Sequence, residues 1–354
     1  MPSGKNMQIL LAARPKGSPR DSDFEIVEAP IPMPGAGEML LRTLYLGLDP
    51  VIRLRMNAGS YWPAFELCKP LGGRAVSIVE QSDNPDFKPG DLVVHQGIWA
   101  QYTISDGKGP TSAANARPMN LPKLDAARGS LTAPLHVLGI TGLTAYCGLL
   151  EIGQPKPGET IVVSGASGAV GSVAGQIAKL KGCRVIGIAG GLEKCAYLER
   201  ELGFDAAIDY KRADFAAALK EACTKGIDVY FENVGGAVFD AIVPLLNLHA
   251  RVAVCGTVSE YNATERAVVP DKMPGLLLAI LGKRLTMRGF VIGDWFAKMP
   301  DFQRDVGQWV REGKIKYKEE FVDGLENAPR ALQAMLKAET FGKVIVRVSG
   351  EMAR

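Results

Sequence analysis

Thr160-Ile-Val-Val-Ser-Gly-Ala-Ser-Gly-Ala-Val-Gly171 is the stretch that decides the fold. An unbroken apolar run enters a turn of small residues, and a helical pattern follows, which is the order strand, tight turn, helix. Ala166, Gly168 and Gly171 occupy the three places of the dinucleotide fingerprint. Those places need small residues for a tight turn, a close backbone approach to a pyrophosphate, and close packing of helix on strand. With Ala169 and Val170 between them they form the expected cofactor-binding turn, whose backbone N–H groups open a helix and suit phosphate oxygens. A Gly-Ala-Ser turn can also simply reverse a chain, so the neighbouring residues have to arbitrate.

Downstream, Val173, Ile177, Ala178 and Leu180 recur at helical spacing, and Lys181-Gly182 supplies a basic last turn and a stop. Cys183 to Ala189 then reads as a second buried strand. At its end, where a free ribose hydroxyl usually meets an Asp or Glu, this chain has Gly190-Gly191. A carboxylate there would repel a ribose phosphate; two glycines leave room for one. Lys194, at the start of the next helix, brings positive charge. The expected cofactor is therefore NADP(H) rather than NAD. Lys194 as an ordinary solvated neighbour of Glu193 is the competing reading.

Outside this core the texture changes. Up to about residue 125 short alternating strands, such as Met39–Thr43 and Ala75–Val79, are separated by Pro- and Gly-rich turns. Between Thr160 and about Ile292, buried strands near Ile161, Val185, Ala207, Val229, Val252 and Met287 alternate with helices, which requires parallel pairing and right-handed crossovers. Helices near Phe302–Glu312 and Leu325–Lys337 and a strand at Lys343–Val348 follow, and the last of these are expected to rejoin the first domain. The expectation is α/β: a Rossmann doubly wound parallel sheet plus a β-rich domain, with limits 1–126, 127–312 and 313–354. Lys108–Asn120 reads as a loop.

Composition narrows the partners. The 354 residues carry 41 Lys and Arg against 38 Asp and Glu, with no basic block interleaved with aromatics, which argues against nucleic acid. The opening Met1-Pro-Ser-Gly-Lys-Asn-Met7 lacks a secretory apolar core, and no apolar run reaches membrane-spanning length, so the expected address is cytoplasmic, with no membrane partner. Leu276–Leu281, the most apolar patch, reads as a buried or interface helix. The six cysteines contain no C-x-x-C pair and are expected to be buried, reduced thiols. His95, His136 and His249 stand apart from one another and from the cysteines, so no metal site is expected. No Gly-x-Ser-x-Gly elbow for hydrolysis is present either.

In an open parallel sheet ligands bind beyond the carboxyl ends of the strands, and the residues there are the candidates. Tyr210 ends one strand, with Lys211 and Arg212 beside it, where a phenol can reach an adenosine phosphate or be merely structural. Asn233 precedes Val234-Gly235-Gly236; its amide can bond a sugar hydroxyl or the nicotinamide end, or cap its own turn. Cys255 and Gly256 end the next strand and are counted as cofactor contacts. Tyr261, a few residues on, lies where a substrate carbonyl belongs and is the candidate catalytic acid, donating to an oxyanion that develops as hydride arrives. An idle loop tyrosine is the alternative. Tyr61, Trp62, Phe65 and Leu67 either line an apolar cleft or belong to the core.

Taken together, Tyr45-Leu46-Gly47-Leu48-Asp49-Pro50, Arg53-Leu54-Arg55-Met56, Gly142-Leu143-Thr144-Ala145-Tyr146, the Ala166 fingerprint, Glu232-Asn233-Val234-Gly235-Gly236 and Tyr261-Asn262 resemble the zinc-independent medium-chain dehydrogenases/reductases. The likeness covers essentially the whole chain. Within that family it points to the prostaglandin reductase and leukotriene hydroxydehydrogenase branch and is most similar to the bacterial curcumin reductases. The resemblance implies a GroES-like domain built from both chain ends, a Rossmann domain between them, NADPH as hydride donor and a homodimer. It also implies reduction of the carbon–carbon double bond of small hydrophobic enones and enals. By position it assigns Lys194 and Tyr210 to the ribose phosphate, Asn233 to the cofactor, and Tyr261 to the substrate as proton donor or enolate stabiliser. Two departures stand out: Val51 replaces a tyrosine common at the substrate mouth, and Thr340 replaces an Asn on the cofactor side. The competing functions are an NADPH quinone oxidoreductase and a non-catalytic NADPH-binding protein.

Overall fold

A computed structural model describes residues 4–109, 121–125, 129–264 and 272–349. The chain divides into two compact units, residues 1–136 with 319–354, and residues 137–318. The sequence-based limits were 126 and 312; residue 126, like most of the expected 108–120 loop, lies outside the described residues.

The first unit begins with β1 (Lys5–Leu11) and β2 (Phe24–Pro30), an antiparallel pair. β3 (Met39–Gly47), the one-turn helix α1 (Val51–Arg55), β4 (Gly72–Ser82), β5 (Leu92–Ile98), β6 (Tyr102–Ser105) and β7 (Lys123–Leu124) follow. In β3 almost every residue is buried, so it reads as an apolar run and sits mid-sheet with β4 on one side.

The second unit opens with α2 (Ile140–Cys147), continued by a π-helical turn at Gly148–Gly153. Next come β8 (Thr160–Ser164), α3 (Gly171–Leu180), β9 (Arg184–Ala189), α4 (Leu192–Arg200), β10 (Ala206–Asp209) and α5 (Phe215–Ala222). β11 (Ile227–Glu232), α6 (Gly236–Ile242), β12 (Leu246–Val254), α7 (Met273–Lys283), β13 (Thr286–Gly289) and α8 (Met299–Arg311) complete it. All six strands pair in parallel in the order β10-β9-β8-β11-β12-β13. The chain therefore winds outward from β8 to β10, returns to β11 on the other side of β8, and winds outward again. This is the Rossmann doubly wound sheet, with its topological switch point between β8 and β11. Every residue of β8 is buried, as a parallel strand covered on both faces requires.

After α8 the chain returns to the first unit as β14 (Glu319–Asp323), α9 (Ala328–Leu336) and β15 (Lys343–Arg347). β15 pairs antiparallel with β3, setting Val346 opposite Leu46, and parallel with β14. A GroES-like domain thus draws on both chain ends. Lys343 is 1% exposed, and its ammonium donates to Asp49 Oδ1 at 2.5 Å and to the Leu48 carbonyl at 3.0 Å. A buried ammonium needs such partners to offset its desolvation, so the returning strand clamps the segment that leads into Val51.

Of the two readings of the Leu276–Leu281 patch, a buried helix or an interface helix, the first falls here. No residue of α7 is buried; Leu277, Leu278 and Leu281 are 57%, 69% and 76% exposed. Ala279 and Ile280 pack against the core of the unit, while Leu277, Leu278 and Leu281 are left uncovered by its described residues.

Candidate active site

The fingerprint turn is built from close approaches that only small residues permit. Gly165 has φ +58°, so the left-handed turn falls one residue before Ala166, the position assigned to it from sequence. Ala166 is instead buried, its N–H donating to the Ile188 carbonyl at 2.9 Å and thereby tying the turn to β9. The Gly168 N–H returns to the Gly165 carbonyl at 3.0 Å, and Ala169 and Val170 complete the path into α3. A Cβ on Gly171 would lie 2.4 Å from the Gly165 oxygen and 2.9 Å from Ala166 Cα, closer than any side chain tolerates. Deeper in, Cβ atoms on Gly175 and Gly187 would strike Phe204 at 2.0 and 2.9 Å, so α3 lies close against the sheet along its length. Gly165, Gly175 and Gly187 were not singled out from sequence, because only packing distances reveal their need.

At the end of β9, Gly190 lies under the side chains of the next strand's end: a Cβ there would meet Tyr210 Cε1 at 2.9 Å and Lys211 Cε at 3.1 Å. The structure thus brings Gly190, Tyr210 and Lys211 together, with Lys194 as the third residue of α4 beyond Gly191. Gly191, at φ +95°, has nothing within 4 Å of its Cβ position, so no side chain fills that side of the turn. A doubly charged phosphate fits such a bay, flanked by donors.

An acid does reach this turn, contrary to the reading of β9 alone. Asp209, at the end of β10, accepts from the Gly191 N–H at 2.9 Å and the Lys211 N–H at 3.0 Å. Although burial pushes the other way, those two N–H groups and the nearby Lys211 and Arg212 hold its carboxyl below the usual range. Its charge is thus spent on backbone donors and answered by cations. Sequence distance hid it: the acid comes from the neighbouring strand rather than from the end of β9.

Across the switch point the ends of β8, β11 and β12 converge. Asn233 donates from Nδ2 to the Ser164 carbonyl at 2.7 Å and from its N–H to Ser164 Oγ at 2.8 Å. Ser164 Oγ donates to Glu232 Oε1 at 2.8 Å, and that oxygen also accepts from the Val234 and Gly235 N–H groups at 2.5 and 3.0 Å. The Glu232 carbonyl accepts from the N–H groups of Cys255 and Gly256 at 2.9 and 3.1 Å, and the Asn233 carbonyl from Val258 at 3.2 Å. A short 3-10 turn at Val258–Glu260 then delivers Tyr261. Its hydroxyl lies 3.2 Å from where a Cβ on Gly256 would stand, and the Asn233 carbonyl 3.5 Å from the same point. Asn233, Gly256 and Tyr261 therefore form one cluster, organised by Glu232 and Ser164, which sequence reading had passed over. In the sequence Glu232 showed as an acid ending an apolar strand and as the first residue of the Glu232–Gly236 motif, with no role of its own.

Burial, and secondarily Glu232, pushes the Cys255 thiol up to about 12, so it stays protonated at neutral pH and is no thiolate nucleophile. The expectation of six buried thiols holds in part: all six are free, but Cys255 is only partly buried and Cys68 is exposed. His95 and His136 are buried and His249 is exposed. Burial, with Arg74 nearby, lowers His95 to about 4, and its Nε2 shares a 2.8 Å hydrogen bond with Ser77 Oγ. Among the described residues no three His, Cys, Asp or Glu side chains converge as a metal site would require.

The remaining candidates lie in the first unit. Val51 is the first residue of α1, after Pro50. Tyr61 is 64% exposed and its ring centroid lies 6.3 Å from that of the partly buried Trp62, whereas Phe65 packs in the core and Leu67 points to the surface. The last two are thus resolved away from a shared lining. Thr340, half-buried, occupies the bend before β15, next to Phe341, whose N–H donates to Glu320 at 2.6 Å.

Fold and site together define a pyridine-nucleotide oxidoreductase. Residues 7–112 match the family model for the N-terminal domain of oxidoreductase, and residues 169–310 match that for zinc-binding dehydrogenase. The chain is 48% identical over 349 residues to the NADPH-dependent curcumin reductase of Escherichia coli K12, covering 98% of each. It is 38% identical to the 2-alkenal reductase (NADP(+)-dependent) of Nicotiana tabacum, again over 98% of each chain. The crystal structure of CurA from Vibrio vulnificus in complex with NADPH superposes with a TM-score of 0.91 at 46% identity, over 98% of this chain and 100% of that one. The chain belongs to the medium-chain dehydrogenase/reductase family, in the branch that holds these reductases.

Proposed function

We propose that the protein is an NADPH-dependent, zinc-independent reductase of the carbon–carbon double bond of α,β-unsaturated ketones and aldehydes. The observation that carries the reading is the placement of the Tyr261 hydroxyl beside Gly256 and Asn233, at the strand ends next to a glycine-lined phosphate cradle. The names of the E. coli and tobacco relatives support the same chemistry. NADPH, when bound, supplies a hydride to the β-carbon of the substrate. Tyr261 donates a hydrogen bond or proton to the carbonyl oxygen as charge collects there. Ala166, Gly168, Ala169, Val170 and Gly171 hold the pyrophosphate; Gly190, Lys194 and Tyr210 hold the ribose phosphate; Asn233, Cys255, Gly256 and Thr340 are further cofactor contacts. Val51, Tyr61 and Trp62 are assigned to the substrate.

A panel of enones, enals and quinones followed through NADPH consumption tests this reading. Enones and enals are expected to be turned over and quinones not; the reverse would make the protein a quinone reductase, and no consumption at all a binding protein. In the same assay Lys194→Ala is expected to raise the KM for NADPH about tenfold or more while barely changing that for NADH, as loss of a charge-assisted bond to phosphate requires. Equal losses with both cofactors would remove the phosphate contact.

We also propose a homodimer in the cytoplasm. Its interface is the exposed Leu277, Leu278 and Leu281 of α7 with β13, the edge strand of the sheet among the described residues. Light scattering is expected to give about twice the 37.9 kDa chain mass, and Leu278→Lys to shift it toward one chain. A wild-type monomer would refute the interface. The unpaired cysteines suit a reducing compartment.

A further inference from the structure

Glu232 is a buried carboxylate, 1% exposed, that takes no part in the chemistry above. One of its oxygens, Oε2, is buried with no hydrogen-bond partner among the described residues. Such an oxygen costs stability, so the arrangement calls for a compensating role. Three donors converge on the other oxygen: the Ser164 hydroxyl and the N–H groups of Val234 and Gly235. Ser164 closes the circuit by accepting from the Asn233 N–H and, through its carbonyl, from the Asn233 side-chain nitrogen. The two strands flanking the switch point are thus joined at their ends through one hydroxyl and one carboxylate.

The circuit has a chemical consequence for Asn233. An amide offers an accepting oxygen and a nitrogen with two N–H donors, and here one of those donors is committed to the Ser164 carbonyl, which fixes the plane of the amide. What the fixed amide can offer a ligand is its Oδ1, an acceptor, and its second N–H. We propose that Glu232 and Ser164 are positioning residues that hold the Asn233 amide in this orientation. Asn233 Oδ1 then accepts a hydrogen bond from an N–H or O–H donor on the nicotinamide half of the cofactor. The inference rests on the reading of Asn233 as a cofactor contact. The donors of that chemistry are the carboxamide nitrogen and the ribose hydroxyls.

Titration of Asn233→Ala, Ser164→Ala and Glu232→Gln with NADP+ and with 2′,5′-ADP, which lacks the nicotinamide half, tests it. All three variants are expected to bind NADP+ about tenfold more weakly, the loss of roughly one oriented hydrogen bond, with 2′,5′-ADP affinity within twofold of wild type. A role confined to folding would weaken both ligands, and that result overturns the proposal; Ser164→Ala, which removes a single oxygen, keeps the test usable should Glu232→Gln fail to fold. If Asn233→Ala alone loses NADP+, the positioning role falls and the cofactor contact stands. If Asn233→Ala binds NADP+ as wild type does, the contact itself falls. The 3-acetylpyridine analogue of NADP+, whose carboxamide nitrogen is replaced by a methyl group, separates the donors. Insensitivity of its binding to Asn233→Ala marks the carboxamide, and a retained loss marks the ribose.

Discussion

Gly171→Ala is expected to abolish useful cofactor binding, raising the Kd for NADPH at least about a hundredfold, or ~2.7 kcal/mol. The added Cβ would stand 2.4 Å from the Gly165 carbonyl oxygen, 3.0 Å from its carbon and 2.9 Å from Ala166 Cα, all of them backbone atoms. No side chain can rotate away to relieve that contact. Relief requires either the start of α3 to back off from β8 or the turn after Ser164 to open, and both displace the N–H groups that face the pyrophosphate. Overpacking of this kind also costs about 1–3 kcal/mol of stability, so the melting temperature is expected to fall as well. Fluorescence titration with NADPH, beside thermal melts, is the measurement. Gly275→Ala in the exposed helix α7, where nothing lies within 4 Å of the Cβ position, serves as the control and is expected to leave binding unchanged. An unaltered NADPH affinity in Gly171→Ala would mean that the turn after β8 is not the phosphate cradle.

The second large effect is expected at Tyr261. Tyr261→Phe removes one oxygen and keeps the ring, so the packing of the loop after β12 is preserved. That loop is held independently of the hydroxyl, by the hydrogen bonds that Cys255, Gly256 and Val258 donate to the carbonyls of Glu232 and Asn233. NADPH affinity should therefore stay within about twofold. Turnover of enones should fall by about a hundredfold or more, the range associated with losing a general acid or an oxyanion donor in a sheltered site. The fall should appear in kcat rather than in KM, because the lost interaction strengthens only as negative charge develops on the carbonyl oxygen. Undiminished kcat would strip Tyr261 of its catalytic role and hand the proton to another donor.

Much of the second unit was legible in the chain because its signals are local. A strand buried on both faces must be apolar throughout, and β8 is; a helix packed tightly on that strand must start with small residues, and α3 does. The six strands appear where the apolar runs stood; the texture change read near residue 125 precedes the division between the two units, which falls after His136. Lys343 and its neighbours were read as a strand rejoining the first domain, and pairing with β3 is what the structure has. What stayed hidden was whatever one strand does for another. Asp209 reaches the turn after β9 from β10, a separation of 18 residues; Ser164 and Glu232 meet across 68 residues; neither pairing leaves a trace in spacing. The apolar α7 sequence equally suited a buried helix and an exposed one, since hydrophobicity reports a need for cover without saying what provides it.

The sequence by itself determined the order of elements, the parallel sheet, the small-residue turn after β8, and the pair of glycines that follows β9. These depend on backbone geometry and residue size within a few positions of one another, where covalent connection does the arranging. Only the tertiary structure decided that Gly165 rather than Ala166 makes the left-handed turn, that an acid sits beside the bay with its charge spent on N–H groups, and that Asn233 is left with an oxygen to offer. Those outcomes are set by hydrogen bonds between strand ends, and a donor chooses its acceptor by distance in space, to which distance along the chain is no guide.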